Sequence, residues 1–431
     1  MALRRLLVIS YYFPPTPTVG SVRVGGLAKY LPEHGWEVTV VTPRRLGRGN
    51  QAGRVLETAD ADLGVGLKRL LGFPGDAALK DAIAGASSPL ARPTSARLVE
   101  VVKALVAIPD TNRGWIRIAE RAALRRAAEQ RFDAILSTSP PPSAHVAAGR
   151  VAARSRLPWV ADLRDLWSDD RNSLAPGWRR QIDRRLEVRT FRGAAALVTV
   201  SEPLAQALRD LHPGLPVRTI LNGFDPEEVG LADRLTPEFT LTHTGTFYQG
   251  RRDPSLLFET LARMLADGRL PRERVRVRLY ARHEPWVAEL VRRFALDDVV
   301  ELLEWTARRE ALRAQQESQV LLLLHWGGER EEGVFTGKIF EYLAARRPVL
   351  MVGGGAGVLS ELLDRTGAGV HVIDRAGLER QLETWWREFA ATGSVAWRGR
   401  DELVEPFSHR RMAREFAALL DEVCERGRAA G

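Results

Sequence analysis

The fold is decided by the apolar run R-L-L-V-I-S at Arg5–Ser10 and by the elements that follow it. A loop punctuated by proline and glycine covers Phe13–Gly20, and a helical pattern covers Arg23–His34. Gly35 is a typical helix terminator, and E-V-T-V-V at Glu37–Val41 has the composition of a second strand. A strand, a loop, a helix and a second strand in this order predict a parallel sheet covered by helices.

The same alternation of strands and helices continues along the chain and then starts again. It runs as far as a strand at Arg218–Leu221, and a new first strand is predicted at Thr240–His243. Because 431 residues are too many for one ordinary core, we predict an α/β protein of two Rossmann-like, doubly wound domains that face each other across a cleft. The predicted parts are an N-terminal domain at 1–225 with a variable insertion at 44–95, a hinge at 226–236, a C-terminal domain at 237–405, and a last helix at 406–431 that packs back on the N-terminal domain.

The composition favours a soluble globular protein. Hydrophobic residues make up 45% and charged residues 27% of the chain, and no apolar run approaches the roughly 18 residues needed to cross a bilayer. Cys424 is the single cysteine, which excludes a disulfide or a thiolate metal site within one chain. The N-terminus runs into the first strand rather than into a signal peptide, so the cytoplasm is the expected compartment.

Positive charge is concentrated in the N-terminal half. Residues 1–225 hold 33 of the 63 lysines and arginines but only 21 of the 54 aspartates and glutamates. A dense run on one predicted helix begins at Trp178 and comprises Arg179, Arg180, Arg184, Arg185, Arg189 and Arg192. Such a surface favours an anionic partner. The alternative is a general bias toward arginine, since the chain has 58 arginines and 5 lysines.

Doubly wound domains bind ligands at the carboxyl ends of their strands, so the loops there carry the candidate site. In the first domain, Gly20 lies near a helix N-terminus, where backbone amides favour an anion. In the second, Lys338 and Glu341 share one helix face and suit a nucleotide sugar, with Lys338 toward phosphate and Glu341 accepting from ribose hydroxyls. The alternative is a surface ion pair of little energetic weight. Lys338 is the only lysine after Lys103, which favours the functional interpretation.

These features resemble the retaining glycosyltransferase family 4, which has the GT-B fold. The first unit, with H-G-W-E-V-T-V-V-T at His34–Thr42, is similar to the start of that family. Further similar segments are Ile108-Pro109-Asp110 with Trp115, S-T-S-P-P at Ser137–Pro141, A-D-L-R-D-L-W at Ala161–Trp167, G-T-F-Y at Gly245–Tyr248 with Arg251–Pro254, and G-K-I-F-E-Y-L at Gly337–Leu343. The resemblance implies transfer of a sugar from a nucleoside diphosphate sugar, held by the C-terminal domain, to an acceptor hydroxyl held by the N-terminal domain. It also implies a role in the biosynthesis of a polysaccharide, a glycolipid or a glycosylated metabolite.

The resemblance also assigns the donor contacts. Gly245 is expected to let its amide approach the diphosphate, and Arg251 stands where the family usually has a diphosphate-binding lysine. Thr246 stands where many members have an arginine, and Arg252 or Arg282 is the candidate to replace that charge. Gly333 stands in place of the first glutamate of a paired-glutamate motif whose second member is Glu341. The backbone amides of Gly333, Val334 and Phe335 are expected to hold sugar hydroxyls.

In the N-terminal domain, Asp162, Arg164 and Asp165 follow a strand, and Arg164 lies near the position of a family histidine that contacts the donor sugar. Either aspartate is a candidate to orient or deprotonate the acceptor hydroxyl, with Arg164 toward phosphate. A buried arginine–aspartate pair that fixes the loop is the alternative.

No cofactor or metal is expected. Asp60 and Asp62 imitate a metal-binding D-x-D motif, but they do not end an apolar strand. The rival functions are a nucleoside diphosphate sugar epimerase of the same architecture and a basic nucleic-acid-binding protein, and the stacking motifs of the latter are missing. The expected partners are a nucleotide sugar and a sugar, lipid-linked or small-molecule acceptor, with peripheral contact to the inner membrane face through the basic N-terminal domain and no nucleic acid.

Overall fold

The computed structural model describes residues 3–16, 18–44, 54–60, 107–169, 176–247, 252–325 and 335–429. The chain divides into two compact units. The first consists of residues 1–220 and 413–431, and the second of residues 221–412. The first division therefore falls after Ile220, where the sequence analysis placed the domain end at 225. The second division falls within the last helix of the chain.

The first unit is built on a sheet of seven parallel strands in the order β3-β2-β1-β4-β5-β6-β7. Leu6 on β1, an interior strand of this sheet, is in register with Val38 on one neighbour and with Ala134 on the other. The apolar residues of β1 are buried, which is typical of a parallel strand covered on both faces. The strands are β1 (Arg4–Ser10), β2 (Trp36–Pro43), β3 (Val55–Thr58), β4 (Ala134–Ser139), β5 (Trp159–Leu163), β6 (Ala196–Thr199) and β7 (Val217–Thr219).

Helices alternate with these strands, as the sequence predicts. They are α1 (Val19–Tyr30), α2 (Trp115–Glu129), α3 (Ser143–Ser155), α4 (Gly177–Phe191) and α5 (Glu202–Leu211). A short 3-10 turn at Leu31–His34 follows α1 and ends at Gly35, whose φ of 82° explains why a glycine stands there. The alternation places the loops after β1, β4 and β5 at one edge of the sheet.

The second unit has six parallel strands in the order β10-β9-β8-β11-β12-β13. The strands are β8 (Phe239–Thr244), β9 (Val275–Tyr280), β10 (Val300–Leu303), β11 (Val320–Leu324), β12 (Val349–Val352) and β13 (Gly369–Val372). The helices that accompany them are α6 (Ser255–Ala266), α7 (Pro285–Arg293), α8 (Arg308–Glu317), α9 (Gly337–Ala345), α10 (Val358–Thr366), α11 (Arg375–Thr392) and α12 (Asp401–Val404). This is a second doubly wound α/β unit, as predicted.

The last helix, α13 (His409–Ala429), contacts the first strands of the first unit. Its Asp421 forms an ion pair with Arg4 on β1 and accepts a hydrogen bond from the Trp36 indole at 3.1 Å. The Cys424 thiol donates to the Asp133 carbonyl at 3.4 Å. These contacts explain why the chain from Ala413 onward belongs to the first unit.

Four of the named elements were not predicted, and one of them is the single-turn helix α12 (Asp401–Val404). The strand β3 lies inside the stretch interpreted as a variable insertion, so part of that stretch belongs to the sheet. The strand β10 has only four residues, too few for a periodic pattern. The helix α11 begins after Asp374, whose carboxylate accepts from the Gly377 amide at 2.7 Å, and this N-cap was a readable signal.

Candidate active site

The second sheet has a topological switch point at β8. This strand pairs with β9 on one side and with β11 on the other, so the loops after β8 and β11 leave the same sheet edge in opposite directions. The first loop begins at Gly245, and the second leads into α9, which carries Lys338 and Glu341. Three predicted residues therefore meet where doubly wound sheets bind ligands.

Gly245 provides the space in which the Lys338 side chain lies. Its φ of 135° is rarely adopted by residues with a side chain, and a Cβ at this position would overlap Cε and Nζ of Lys338. The Gly245 amide donates to the Tyr280 carbonyl at 2.8 Å. The amide is therefore already used within the sheet, and its approach to the diphosphate stays a prediction. What Gly245 contributes is the close approach of the lysine.

Lys338 is half-buried, and its ammonium group makes no hydrogen bond or ion pair within the described part of the chain. Burial lowers the pKa of Lys338 to about 7, the nearby Arg252 guanidinium acts in the same direction, and the Glu341 carboxylate opposes both. In this environment the charged form of the lysine is destabilised relative to the neutral form. An anion bound beside it would relieve both the desolvation and the repulsion from Arg252.

Glu341 is held from two sides and is not the ion-pair partner of Lys338. One carboxylate oxygen accepts from the Arg308 guanidinium, and the other accepts from the Gln315 amide at 3.2 Å. The same amide donates to the Thr244 hydroxyl at 2.8 Å at the end of β8. Sequence reasoning missed Arg308, because 33 residues separate it from Glu341 and no local pattern connects them.

A hollow lies beside this edge, at the carboxyl ends of β9 and β10. Leu279, Val287 and Leu303 give it apolar walls, and the exposed Arg282 lies at its rim. Arg252, by contrast, lies near enough to Lys338 to lower the pKa of that lysine. Of the two arginines that the sequence left open, Arg252 is therefore the second cation beside Lys338.

The remaining donor candidates lie around these residues or outside the described ranges. Thr246 follows Gly245 and is half-exposed. The Phe335 ring packs against Phe340 on α9 with 5.7 Å between the ring centroids. Three further candidates, Arg251, Gly333 and Val334, lie outside the described residues.

In the first unit, Asp162 is the centre of a buried polar cluster. Its carboxylate accepts from Nη2 of Arg23 at 3.0 Å and from the Thr138 hydroxyl at 2.9 Å, and both charged side chains are buried. The Arg23 guanidinium also donates to the Ile220 carbonyl at 2.9 Å. A buried arginine–aspartate pair was one predicted alternative, and the structure gives Asp162 such a pair with Arg23 as its partner.

Arg164 is buried and reaches backbone carbonyls. It donates to Ser139 at 2.6 Å and to Gly20 at 2.8 Å, so it joins the loops after β1 and β4. Gly20 lies in the first turn of α1, close against the Tyr12 ring. Asp165 is exposed on the loop after β5 and is the predicted acidic residue that solvent reaches.

The basic helix α4 separates its charges by face. The carboxylates of Asp183 and Glu187 point inward, where Arg179 donates to Asp183 at 2.7 Å and the Ser168 amide donates to Glu187 at 2.9 Å. The outward arginines are exposed, and their guanidinium groups make no hydrogen bond or ion pair to any described residue; these are Arg180, Arg184, Arg185, Arg189 and Arg192. Trp178 at the start of the helix is exposed as well.

Two further features concern metals and membranes. The Asp60 carboxylate accepts from the Tyr11 hydroxyl at 2.9 Å, while Asp62 lies outside the described residues. Among the residues that the structure describes, no group of three or more His, Cys, Asp or Glu side chains is arranged to hold a metal ion. None of the helices in the described ranges has both the length and the apolar composition needed to span a bilayer.

The two-unit architecture is that of the GT-B fold. The structure is similar to HepE of Anabaena in complex with UDP (TM-score 0.61, 15% identity, 97% of this chain and 100% of that chain covered). It is also similar to sucrose-phosphate synthase of Thermosynechococcus elongatus (0.60, 15%, 97% and 99%) and to α,α-trehalose 6-phosphate synthase of Burkholderia multivorans (0.61, 13%, 100% and 100%). At these identities the likeness shows a shared fold.

A family model matches the sequence of the first unit. Residues 20–223 match the model of the glycosyl transferase 4-like domain. A comparison with curated proteins gives no match. The first unit thus contains a glycosyl transferase 4-like domain, and the chain has the GT-B fold.

Proposed function

We propose that this glycosyltransferase moves a sugar from a nucleoside diphosphate sugar to an acceptor hydroxyl. The observation that carries the proposal is the Lys338 ammonium, which lies half-buried against Gly245, near Arg252, with no described partner. A diphosphate is the anion that suits two close cations at a strand end. The complexes of HepE with UDP and with UDP-glucose, in a protein of the same fold, support a nucleotide sugar as the donor.

In the proposed reaction, the bond between the anomeric carbon and the diphosphate breaks, and the acceptor oxygen bonds to that carbon. Negative charge develops on the leaving diphosphate, and Lys338 and Arg252 stabilise it, with Arg251 as a further predicted cation. Glu341 accepts from the ribose hydroxyls.

We also propose that the anomeric configuration is retained. The acceptor hydroxyl then attacks on the face that the diphosphate leaves, and a donor phosphate oxygen takes its proton. The resemblance to a retaining family supports this course. Asp165, exposed at the end of β5, is the candidate that orients the acceptor hydroxyl. The product belongs to a polysaccharide, a glycolipid or a glycosylated metabolite.

A thermal-shift screen with UDP, GDP, ADP and TDP tests the donor class. One of these nucleotides is expected to raise the melting temperature, and its sugar conjugate should release that nucleotide when an acceptor is present. Failure of all four to shift the melting temperature would contradict the proposal. An epimerase would instead interconvert two nucleotide sugars, release no nucleotide and need no acceptor.

We expect transfer to proceed without a divalent metal, because Lys338 and Arg252 supply positive charge where the diphosphate departs. Initial rates measured with excess EDTA should match those with added Mg²⁺ or Mn²⁺. Loss of activity in EDTA that is restored by adding either ion would show that Lys338 and Arg252 alone are insufficient. Asp60 and Asp62 would then be the first candidates for metal ligands.

We propose further that the outward face of α4 docks the enzyme on an anionic membrane surface that presents a lipid-linked acceptor. This face carries only positive charge, because both carboxylates of the helix point inward. Each cation near anionic lipid contributes about 1 kcal/mol. Trp178 suits the interface between water and lipid, since its ring is amphipathic.

Liposome co-sedimentation tests the docking. Binding to anionic but not to neutral vesicles, lost at high salt, is expected, and the triple variant Arg184→Gln, Arg185→Gln, Arg189→Gln should remain in the supernatant. The matched control removes three exposed arginines that are ion-paired elsewhere, namely Arg263, Arg387 and Arg398, by the same change to glutamine. Equal loss of binding in both triple variants would show that net charge, and not this helix, governs the attraction.

A further inference from the structure

Arg308, the first residue of α8, bridges two carboxylates that lie far apart in the sequence. Its Nη2 atom donates to Oε2 of Glu228 at 2.9 Å, and its Nη1 atom donates to Oε1 of Glu341. All three side chains are partly exposed, so a ligand can reach them. We name this arrangement the Glu228–Arg308–Glu341 bridge.

The bridge fixes Glu341 without exhausting its hydrogen-bonding capacity. Arg308 holds one oxygen and Gln315 holds the other, so the plane of the carboxylate is set before any ligand arrives. An ionised carboxylate can accept about four hydrogen bonds, and these two donors leave about two sites open. A pair of vicinal hydroxyls needs two acceptor sites.

The other end of the bridge lies in the segment that follows the division between the units. Glu228 ends a short 3-10 helix at Pro226–Glu228. Gln316 secures the backbone there, because its amide donates to the Glu228 carbonyl at 3.0 Å and accepts from the Leu231 amide at 2.7 Å. The carboxylate of Glu228 is therefore a fixed anchor for Arg308, and not a freely moving surface charge.

We propose that Arg308 is a positioning residue for donor recognition, which orients Glu341 toward the ribose and depends on Glu228 for its own orientation. The proposal rests on the proposed use of a nucleotide sugar. It adds that Glu228, near the start of the second unit, contributes to ribose recognition through the Arg308 guanidinium. Arg308 touches no substrate in this scheme and acts only through Glu341.

The test compares nucleotides that differ by one hydroxyl. Calorimetry gives the dissociation constants of UDP, ADP and GDP and of their 2′-deoxy forms for wild type. The ribonucleotide that binds most tightly and its 2′-deoxy form are then used for the variants. Wild type should prefer the ribonucleotide by at least about fivefold, since a hydrogen bond to a charged group is lost with the hydroxyl. Glu341→Gln and Arg308→Gln should each remove most of this preference, and Arg308→Lys should restore part of it.

Glu228→Ala should lower the same preference by a smaller factor, and only while Arg308 is present. In the Arg308→Gln background, the Glu228→Ala change should have no further effect. Arg313→Gln is the matched control, because Arg313 lies on the same helix and pairs with Glu317 at 2.7 Å. This control should keep the wild-type preference.

The outcomes separate the two proposals. If wild type binds none of these nucleotides and TDP also fails in the thermal-shift screen, the proposed donor class fails, and the role of Arg308 fails with it. If wild type prefers the ribonucleotide and Arg308→Gln keeps that preference, only the positioning role is wrong. If Glu228→Ala lowers the ribonucleotide preference equally in wild type and in the Arg308→Gln variant, Glu228 does not act through Arg308.

Discussion

Lys338→Ala is expected to lower kcat/KM for sugar transfer by about 10- to 100-fold without unfolding the protein, because one charge-assisted hydrogen bond to phosphate contributes about 1.5–3 kcal/mol. Steady-state kinetics with the donor found in the thermal-shift screen measure this loss, and a melting curve of each variant verifies the fold. Lys29→Ala is the control, because Lys29 is the other lysine among the described residues and lies exposed on α1.

The Gly245→Ala variant should reproduce much of this loss, since the added methyl group occupies the space of the Lys338 side chain. Gly268→Ala is its matched control. Gly268 also has a positive φ, 68°, but a Cβ there would meet no atom within 4 Å. The control therefore tests the loss of a glycine with positive φ without the displacement of the lysine, and a melting curve of each variant accounts for the greater strain at the φ of 135° of Gly245. Equal activity of the two glycine variants would show that the position of Lys338 does not matter for catalysis.

The affinity for a nucleotide sugar should also depend on pH through Lys338. The lysine binds phosphate as an ammonium, and burial lowers its pKa to about 7, so it loses its charge as the pH rises above that value. Donor affinity should therefore be highest below about pH 7 and should fall above it, because the donor diphosphate stays fully ionised across this range. Lys338→Ala should remove most of this dependence. An unchanged pH profile in that variant would exclude Lys338 from the donor site.

Much of the fold was predictable because each strand is a short apolar run bounded by residues that end elements. The run at Arg4–Ser10 and the glycine at position 35 carry their meaning locally, and the structure places a strand and a helix end there. The strands β3 and β10 were missed, because runs of four residues with half-exposed positions resemble loops. Tertiary pairing, and not local preference, makes them strands.

The candidate site was predictable only in part, for the same reason. Lys338 and Glu341 could be connected because they lie three residues apart on one helix, next to a strand end. The partner of Glu341 is 33 residues away, and the partner of Asp162 is 139 residues away. Pairs so distant in sequence become neighbours only through the order of the strands, which a single sequence does not determine.

Asp162 lies on β5 and Asp165 lies on the loop that follows it, and their substitution should separate structural from catalytic function. Asp162→Asn is expected to lower the free energy of unfolding by about 3–5 kcal/mol, because it removes the buried carboxylate charge that pairs with the buried Arg23 guanidinium. The Thr138 hydroxyl, which donates to the same carboxylate, also loses a charged partner. Denaturant unfolding followed by tryptophan fluorescence measures the loss, since Trp159 lies on the same strand.

Asp165→Asn should behave in the opposite way. The Asp165 side chain is exposed, so its substitution should change the free energy of unfolding by less than about 0.5 kcal/mol. If Asp165 orients the acceptor hydroxyl, the rate of transfer at saturating donor should fall by about tenfold or more. The dissociation constant of the nucleotide should stay unchanged. A stable Asp162→Asn variant with greatly reduced transfer would reverse the assignment, because it would place the acceptor at the buried carboxylate and leave Arg23 as its support.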